Sequence, residues 1–326
     1  MNFSLYTLIN GSEIDISEQS GNLAWTYQGQ TLGVNLTFDF ANVNTNIVEP
    51  GSIVFLKDED DQEIIFIGIV VDRTKKGSVY SLSVYDFAWY LNKSEVIIQF
   101  NKTNASTAVK QLLKKVGVEA GEIPYMSTLI TQIYIDAKPN EILNDIIEQV
   151  FLETDVSYFF EMNGSKLDIK EMGKEVFEGS FKLAANLAPI QIEDLIGDDF
   201  TVTDSISELK NSIIVVSSKS DFVRVFESVS DQPSINKYGL LQEVISIDDK
   251  DEAKSRNIAQ NALKKLNNVM SSTSIPTLGH KGLRQYRVLK LNAPEIDLVG
   301  EYMILSAAHT YADGIYRASL SLEVLS

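Results

Sequence analysis

The sequence predicts a mainly β protein that carries α+β insertions. Strand patterns occupy residues 1–99 and return after residue 191, as short apolar runs or as alternating apolar and polar side chains. Three segments between them repeat apolar residues at helical spacing and have helix start or stop signals. Turn dipeptides, among them Pro50-Gly51 and Asn163-Gly164, separate the strands. We therefore expect two β domains with α+β and helical modules between or within them.

Residues 1–99 are expected to form the first β domain. Residues 34–40 alternate apolar and polar side chains, as a half-buried strand does. Two apolar runs, 53–56 and 64–71, flank an acidic tip at residues 58–61 and predict a hairpin. Residues 79–85 alternate again. Residues 86–91 are expected to form a short helix that closes the domain.

An α+β module is expected over residues 100–190. Asn104 or Ser106 can cap a helix that ends at Gly117, and Pro139 suits the first turn of a second helix. The two runs 156–161 and 166–170 lie on either side of Asn163-Gly164 and predict a hairpin. Each helix has an apolar stripe: Val109, Leu112, Leu113 and Val116 in the first, and Ile142, Leu143, Ile146 and Val150 in the second.

The second β domain is expected from residues 191–232 together with 275–326. A strand-helix insertion over residues 233–274 interrupts it, beginning with a turn at 236–239 and an apolar strand over 240–247. Asp248 or Asp249 can then cap a helix. We predict that this helix is a packing element, because its apolar stripe is complete and it has no residues suited to chemistry: the stripe is Ala259, Ala262, Leu263 and Leu266. Residues 270–282 have the composition of a flexible loop.

Two distant stretches, 65–84 and 302–322, resemble each other. Each has an apolar strand, a polar turn that ends in a glycine (Gly77 or Gly314), and a second strand with the sequence Leu-Ser-Val or Leu-Ser-Leu. The alignment needs one residue of gap, and any two β-hairpins share such features. Either the similarity is chance or the chain holds two related β domains with the helical parts as insertions.

The net charge of −17 argues against binding to nucleic acid or anionic membranes, because a polyphosphate needs clustered basic residues. The densest basic group is Lys281, Arg284 and Arg287, which we expect to face an acidic partner and not a phosphate. The chain has no cysteine, which excludes disulfides and thiol chemistry. No apolar run is long enough for a transmembrane helix, and the N-terminus lacks the basic region of a secretory signal.

No catalytic, cofactor-binding or metal-binding residues are predicted. His280 and His309 lack the spaced partners of a zinc site, so structural or surface roles are expected. The acidic tip at residues 58–61 lacks the spacing of a calcium loop and is expected to be solvated. The pair Glu193-Asp194 is one of many carboxylate pairs in an acidic chain and does not indicate glycosidase chemistry.

Four pieces of sequence occur in an order that is typical of one protein group. They are residues 53–91 with their Val84-Tyr85-Asp86 ending, the run SISELKN at residues 205–211 before a strand, the run NKYGL at residues 236–240 with a helix behind it, and the hairpin over 300–323. In these pieces the chain resembles the baseplate hub proteins of contractile phage-type tails, the XkdQ-like and late-control-protein-D-like group. That group has no catalytic motif, so the resemblance implies a structural protein and no enzyme.

The resemblance implies a homotrimeric ring that adapts the tail tube to the central spike. Each subunit would contribute two tube-like β-barrel or sandwich domains, giving six around a channel. The implied partners are the spike protein, the tail tube protein and other baseplate proteins. The implied location is the bacterial cytoplasm during assembly and then the baseplate of a virion or tail-like particle. We expect a net negative channel wall, with residues 58–61 and Asp198-Asp199 as two candidate acidic clusters.

Two other classes of function stay open at the level of sequence. Trp25, Trp89 and Tyr90 could line the sugar site of a carbohydrate-binding or cell-surface β module, although core or interface packing is the expected role of these side chains. A glycan-cleaving enzyme would need a cleft with two carboxylates at catalytic separation.

Overall fold

The computed structural model describes residues 3–28, 33–41, 48–177, 201–219, 223–293 and 298–325. The strands within these ranges are β1 Phe3–Ile9, β2 Ser12–Asp15, β3 Ser20–Gln28, β4 Asn35–Ala41, β5 Ile53–Asp58, β6 Glu63–Lys76, β7 Val79–Tyr85, β8 Val96–Asn104, β9 Glu119–Ala120, β10 Leu129–Ala137, β11 Tyr158–Asn163, β12 Lys166–Glu171, β13 Thr201–Ser205, β14 Ser212–Ser217, β15 Val225–Ser230, β16 Gln242–Ile247, β17 Met270–Leu278, β18 Val288–Ala293, β19 Leu298–Ala312 and β20 Ile315–Val324. The helices are α1 Trp89–Lys93, α2 Ala105–Val116, α3 Pro139–Thr154, α4 Gln232–Tyr238 and α5 Ser255–Leu266. The predicted fold class, mainly β with α+β parts, is confirmed.

A twelve-stranded antiparallel sheet forms the framework. Its strand order is β13-β17-β20-β19-β3-β4-β7-β6-β5-β1-β2, with β18 added beside β19. Strands from both predicted β domains meet at the β19–β3 pair, where Trp25 lies opposite His309. Both halves also share one hydrophobic core, which includes Trp25, Leu36 and Leu320. The division into two β domains stays a prediction, and in this chain the two halves are continuous through the sheet.

The two similar stretches of sequence form equivalent hairpins. The β6–β7 hairpin and the β19–β20 hairpin each have a register shift on their first strand, between Val70 and Asp72 and between Ile304 and Ser306. In both, the shift lies opposite the last two residues of the Leu-Ser-Val or Leu-Ser-Leu run. The second hairpin is two residue pairs longer between the shift and the turn, where the sequence alignment expects a single gap.

The likeness extends to the neighbouring strands. The sheet order places β17, β20, β19 and β3 in one block and β4, β7, β6 and β5 in the next, so each hairpin occupies the two middle positions of its block. Because bulges at matched positions are conserved design features of sheets and not random defects, the shared bulge favours duplication over chance.

The α+β module has its own core, and the sequence predicts most of it. Helix α2 begins after Asn104, whose side chain accepts a hydrogen bond from the Thr107 N–H, and ends at Gly117 with a φ of 74°. Helix α3 begins at Pro139 as expected. The predicted hairpin forms from β11 and β12, with Asn163 opposite Lys166 and Gly164 and Ser165 in the turn. The two helices, this hairpin and the two-stranded β8–β10 ribbon bury one apolar cluster between them.

A third unit consists of a three-stranded sheet and helix α5. The strand order is β15-β14-β16, with β16 parallel to β14. This sheet crosses the predicted boundary at residue 232, because β14 and β15 precede it and β16 follows it. Asp248 caps a short 3-10 helix, Asp249–Lys254, and α5 begins only at Ser255. The predicted stripe packs on the sheet together with Ile258, which the prediction omits.

Two local predictions are wrong. Residues 270–278 are not a flexible loop: they form β17, which pairs with β20 on one side and β13 on the other. Thr273 and Ile275 are buried there, because two neighbouring strands supply the pairing that a serine-rich strand does not indicate by itself. Residues 236–238 are not a turn but the end of α4, which Asp231 caps and Gly239 terminates. The short helix predicted at 86–91 is confirmed, although it starts later, at Trp89.

Candidate functional site

His309 is a buried structural histidine, as the sequence predicts. Its ring is 1% exposed and stacks on Trp25 at 5.0 Å between ring centroids. The Nε2 atom lies 2.8 Å from the carbonyl oxygen of Leu283, and Nδ1 lies 2.9 Å from the Tyr316 hydroxyl. A carbonyl oxygen can only accept, so Nε2 carries the proton and Nδ1 accepts from Tyr316. The neutral ring therefore has both nitrogens satisfied.

Acid should destabilise the protein through this histidine. Burial lowers the pKa of His309 to about 4, from an ordinary value of 6.5. The neutral ring is favoured by folding, so its contribution is complete above pH 6.5 and is lost as the pH falls towards 4. The expected loss in free energy of unfolding is about 3 kcal/mol, from 1.36 kcal/mol per unit of pKa. Denaturant titrations at pH 7, 5.5 and 4 measure it.

The matched control is His309→Gln, which cannot take up a proton in this range. We expect the difference in stability between the native protein and this variant to shrink as the pH falls from 6.5 to 4. The difference between the two proteins cancels the contributions of the other titrating groups to the pH dependence of stability. Asp86 is the main group whose contribution changes in the opposite direction, because its raised pKa favours the folded state at low pH. Parallel pH profiles for the two proteins would show that His309 is not the titrating group.

Asp86 fastens the end of β7 to the segment before β4. Its carboxylate accepts hydrogen bonds from the main-chain N–H groups of Val34 (2.8 Å) and Ala88 (3.1 Å). Burial raises the pKa of Asp86 to about 7, although these two donors act in the opposite direction. The neutral acid is favoured by folding, so its stabilising contribution is complete below the usual pKa of 3.8 and is lost as the pH rises towards 7. This joint holds helix α1 against the main sheet.

The acidic tip is solvated only in part: Asp60 and Asp61 are exposed, as the sequence predicts, whereas Asp58 is buried. Lys281 contacts three carboxylates, two of the tip and one at the start of β6: its Nζ lies 3.3 Å from Asp58 and 2.8 Å from Glu63, and it also pairs with Asp61. Asp58 is buried and has the ammonium group of Lys281 as its ion-pair partner. Hydrogen bonds from Lys281 to these carboxylates raise the pKa of the lysine. Lys281 therefore offsets one of the four negative charges at residues 58–61, and its partner Asp61 is 220 positions away in the sequence.

Arg284 and Arg287, the two arginines of the basic group, also have ion-pair partners within the protein. Arg287 Nη2 lies 2.8 and 2.9 Å from the two Glu161 carboxylate oxygens, and Lys170 Nζ lies 2.8 Å from Oε2. Arg284 Nη1 lies 3.7 Å from Oε1 of the same glutamate. The prediction that residues 281, 284 and 287 face an acidic partner is wrong. Arg284 and Arg287 bind Glu161 of the β11–β12 hairpin, and Lys281 binds carboxylates at the acidic tip between β5 and β6.

Glu161 stays ionised in this cluster. Burial alone would raise the pKa of Glu161, but the positive charges of Arg287 and Lys170 and their hydrogen bonds lower it below the usual value. Both Glu161 and Arg287 have side chains that are 11% exposed. The cluster is therefore a partly buried, charge-assisted joint between the α+β module and the framework sheet.

The aromatic residues that could line a sugar site do not come together. Trp25 is fully buried in the main core, while Trp89 and Tyr90 contact each other edge to face on α1. The packing role expected for Trp25 is therefore confirmed. The pairs Glu193-Asp194 and Asp198-Asp199 lie outside the described residues. Within the described ranges, no group of three or more possible ligands could hold a metal ion, and no helix is long and apolar enough to cross a membrane.

The β8–β10 ribbon presents the most exposed apolar face that the sequence analysis missed. Helices α2 and α3 cover one side of the ribbon. On the other side Ile97, Ile133 and Ile135 are 62%, 57% and 65% exposed. The β-branched and aromatic residues that dominate positions 129–135 could have indicated this strand. Grouped isoleucines on an open sheet face are typical of a surface that another protein covers.

Comparison with known proteins gives the chain a family. The YQBQ-like family model matches residues 23–323. This chain belongs to the YQBQ-like family. No curated protein sequence matches it.

Solved structures show that the YQBQ-like chain has the fold of tail proteins. The 43 kDa tail protein of prophage MuSo2 from Shewanella oneidensis is 14% identical, with a TM-score of 0.66 and coverage of 98% of both chains. A tail protein from Neisseria meningitidis MC58 is 11% identical, with a TM-score of 0.66 and coverage of 99% of this chain and 97% of that one. At these identities the likeness establishes the fold.

A secretion-system protein shares the same fold. The Escherichia coli protein c3393, a type VI secretion component described as similar in structure to the phage T4 tail proteins gp27 and gp5, is 9% identical, with a TM-score of 0.56 and coverage of 94% of the YQBQ-like chain and 74% of its own.

Proposed function

We propose that this protein is a baseplate hub subunit of a contractile injection tail, in which three copies form a ring between the tail tube and the central spike. The observation that carries the proposal is the duplicated block of four strands. Each chain contributes two such blocks side by side in one sheet, so a trimer would present six similar blocks around its axis. A ring of this kind matches a sixfold tube on one face and a threefold spike on the other.

The ends of the main sheet support a closed ring. Among the described strands, β13 and β2 are the two outermost members, and each has one unpaired edge. Unpaired edges invite pairing with another chain. Contact between the β13 end of one copy and the β2 end of the next would be head to tail, and such contacts end only when the rotation closes a ring. The exposed isoleucines of the β8–β10 ribbon supply a further surface for baseplate proteins.

The mass in solution tests the proposal. A ring of three 36.3 kDa chains has a mass of about 109 kDa. Native mass spectrometry of the protein, alone and mixed with its cognate spike, should show this species in at least one of the two conditions. A monomer in both would contradict the ring.

The channel wall is expected to be net negative, so that it does not hold the cargo that passes. Lys281 offsets one of the four negative charges of the tip at residues 58–61, so the tip supports this expectation less strongly than its sequence alone. The net charge of −17 remains in favour. A structure of the assembled ring with its surface potential tests the expectation, and a wall lined by lysine and arginine would remove the conduit role.

A further inference from the structure

A groove of about 590 Å³ lies between the two-stranded β8–β10 ribbon and the three-stranded β15-β14-β16 sheet. It is lined by the start of β10, by β16, and by helices α3 and α5. Among the described strands, β10 pairs only with β8, and β16 is the outer member of the β15-β14-β16 sheet. Two strands that each have an unpaired edge therefore meet at one groove.

The free edge of β16 can be assigned residue by residue. The Ile247 carbonyl accepts a hydrogen bond from the Ser218 N–H, and the Leu241 carbonyl accepts from the N–H groups of Asn211 and Ser212. The main-chain groups of the odd-numbered residues of β16 therefore point towards β14. Main-chain groups alternate sides along a strand, so Gln242, Val244 and Ser246 direct theirs to the free edge. This edge offers N–H donors and carbonyl acceptors at the spacing that an added strand requires.

The groove also has apolar and polar contacts to offer. Leu129 on β10 and Val244 on β16 line it and are 53% and 52% exposed. Thr128 lines it too, and its buried hydroxyl has no hydrogen-bond partner in the described part of the chain. An unsatisfied buried hydroxyl is costly, and a main-chain group of an inserted segment could satisfy it.

The charge of the lining selects the sign of the occupant. Six carboxylates line the groove against three lysines, Lys250, Lys254 and Lys265. Each of these lysines is already paired with a carboxylate, at 3.3, 2.8 and 2.8 Å. A fourth lysine, Lys210, lies outside the lining and pairs with Glu243 at 3.9 Å. Two carboxylates, Asp145 and Asp251, remain in excess over the four lysines, so a positively charged segment has the complementary potential.

We propose that this groove binds an extended, lysine- or arginine-bearing segment of a partner protein by strand addition to the free edge of β16. Strand addition takes its affinity from main-chain hydrogen bonds, and side chains at alternate positions supply specificity. The proposal concerns a surface away from the main sheet and does not depend on the ring, so its failure would leave the ring untouched.

A labelled peptide tests the proposal on the full chain. The probe is an acetylated peptide amide that matches β16 in length and alternates lysine with valine, followed by fluorescence anisotropy. We expect saturable binding and slower hydrogen exchange at the amides of Val244 and Ser246. The same peptide with N-methylated main-chain amides keeps its charges and side chains but loses its main-chain N–H donors. Its affinity should therefore fall about tenfold or more.

The protein variants are chosen to act on one edge only. Val244→Pro removes an N–H from the free edge, where proline is tolerated, and leaves the β14 pairing intact. Val244→Thr keeps the donor and the branched side chain. We expect the first variant to lose binding and the second to keep it. If Val244→Pro lowers the melting temperature, its loss of binding could come from unfolding. The N-methylated peptide, tested on the native protein, then shows whether strand pairing is needed.

Three results would overturn the proposal. The lysine-valine peptide does not bind, or the N-methylated peptide binds equally well, which would mean charge attraction without strand pairing. If a peptide with glutamate in place of lysine binds as tightly, the groove has no preference for a basic partner.

Discussion

Replacing Ala259 by aspartate should lower the free energy of unfolding by about 5 kcal/mol. Ala259 is fully buried on helix α5 and packs in a cluster with Ile213 and Val215, which are also fully buried. A carboxylate there must either stay charged without a partner or take up a proton. Taking up a proton at pH 7 costs about 4 kcal/mol, from an ordinary pKa of about 3.9, and the added atoms overfill a close-packed site.

Two further aspartate variants on helix α5 show how the loss of stability depends on burial. Gln260→Asp introduces the same side chain at an exposed position one residue away, so only about 0.5 kcal/mol of helix propensity should be lost. Ala262→Asp should fall between the two, because Ala262 is buried but also lines the groove, where a carboxylate can reach water. Urea denaturation of the three variants measures this order.

The pH dependence of the Ala259 variant checks the cause. If the loss comes mainly from charge, it should shrink as the pH falls towards 4, because the unfolded chain then also binds a proton. Equal losses in all three variants would mean that the helix does not bury this stripe.

The sequence predicts those parts of the fold that depend on local patterns. The caps at Asn104 and Gly117, the first turn at Pro139 and the stripe of α5 each involve residues within a few positions of one another, and the structure confirms them. Residues 270–278 show the opposite case. Their strand is made by partners in β13 and β20, which lie far away in the chain, so the composition of the segment alone favours a loop.

The charged joints escape prediction for the same reason. Glu161 and Arg287 are 126 residues apart, and nothing near either residue indicates the other. A group of basic residues in an acidic chain suggests a surface for a partner, but this fold supplies the partner from its own hairpins. The free edge of β16 is also invisible in the sequence, because it depends on which strand lies next to it.

The second large effect is expected at Glu161. Glu161→Leu should lower the free energy of unfolding by about 4 kcal/mol, because it leaves Lys170, Arg284 and Arg287 together without their shared carboxylate. Arg287 is the most confined of the three cations, with a side chain only 11% exposed. Breaking a partly buried ion pair from one side costs more than the pair itself contributes, since the remaining charge stays away from water.

A double variant separates the cost of the unpaired charge from the contribution of the ion pair itself. Glu161→Leu combined with Arg287→Leu removes the most confined of the three cations and places a leucine near Phe159, over whose ring Arg287 lies. We expect the double variant to be more stable than Glu161→Leu alone, so the two losses should not add. A surface pair in the same small sheet is the control: Lys166 on β12 and Glu119 on β9 are both more than half exposed, and Lys166→Ala should cost less than about 1 kcal/mol.

Where the stability is lost should show what the joint does. Glu161 lies on the hairpin of the α+β module, and Arg287 directly precedes β18 of the framework sheet. If the pair fastens the two units, hydrogen exchange in Glu161→Leu should rise first in β11, β12 and β18, while the β3–β4 centre of the main sheet stays protected. A uniform rise across the main sheet, or additive losses in the double variant, would show that the cluster is not a joint between the units.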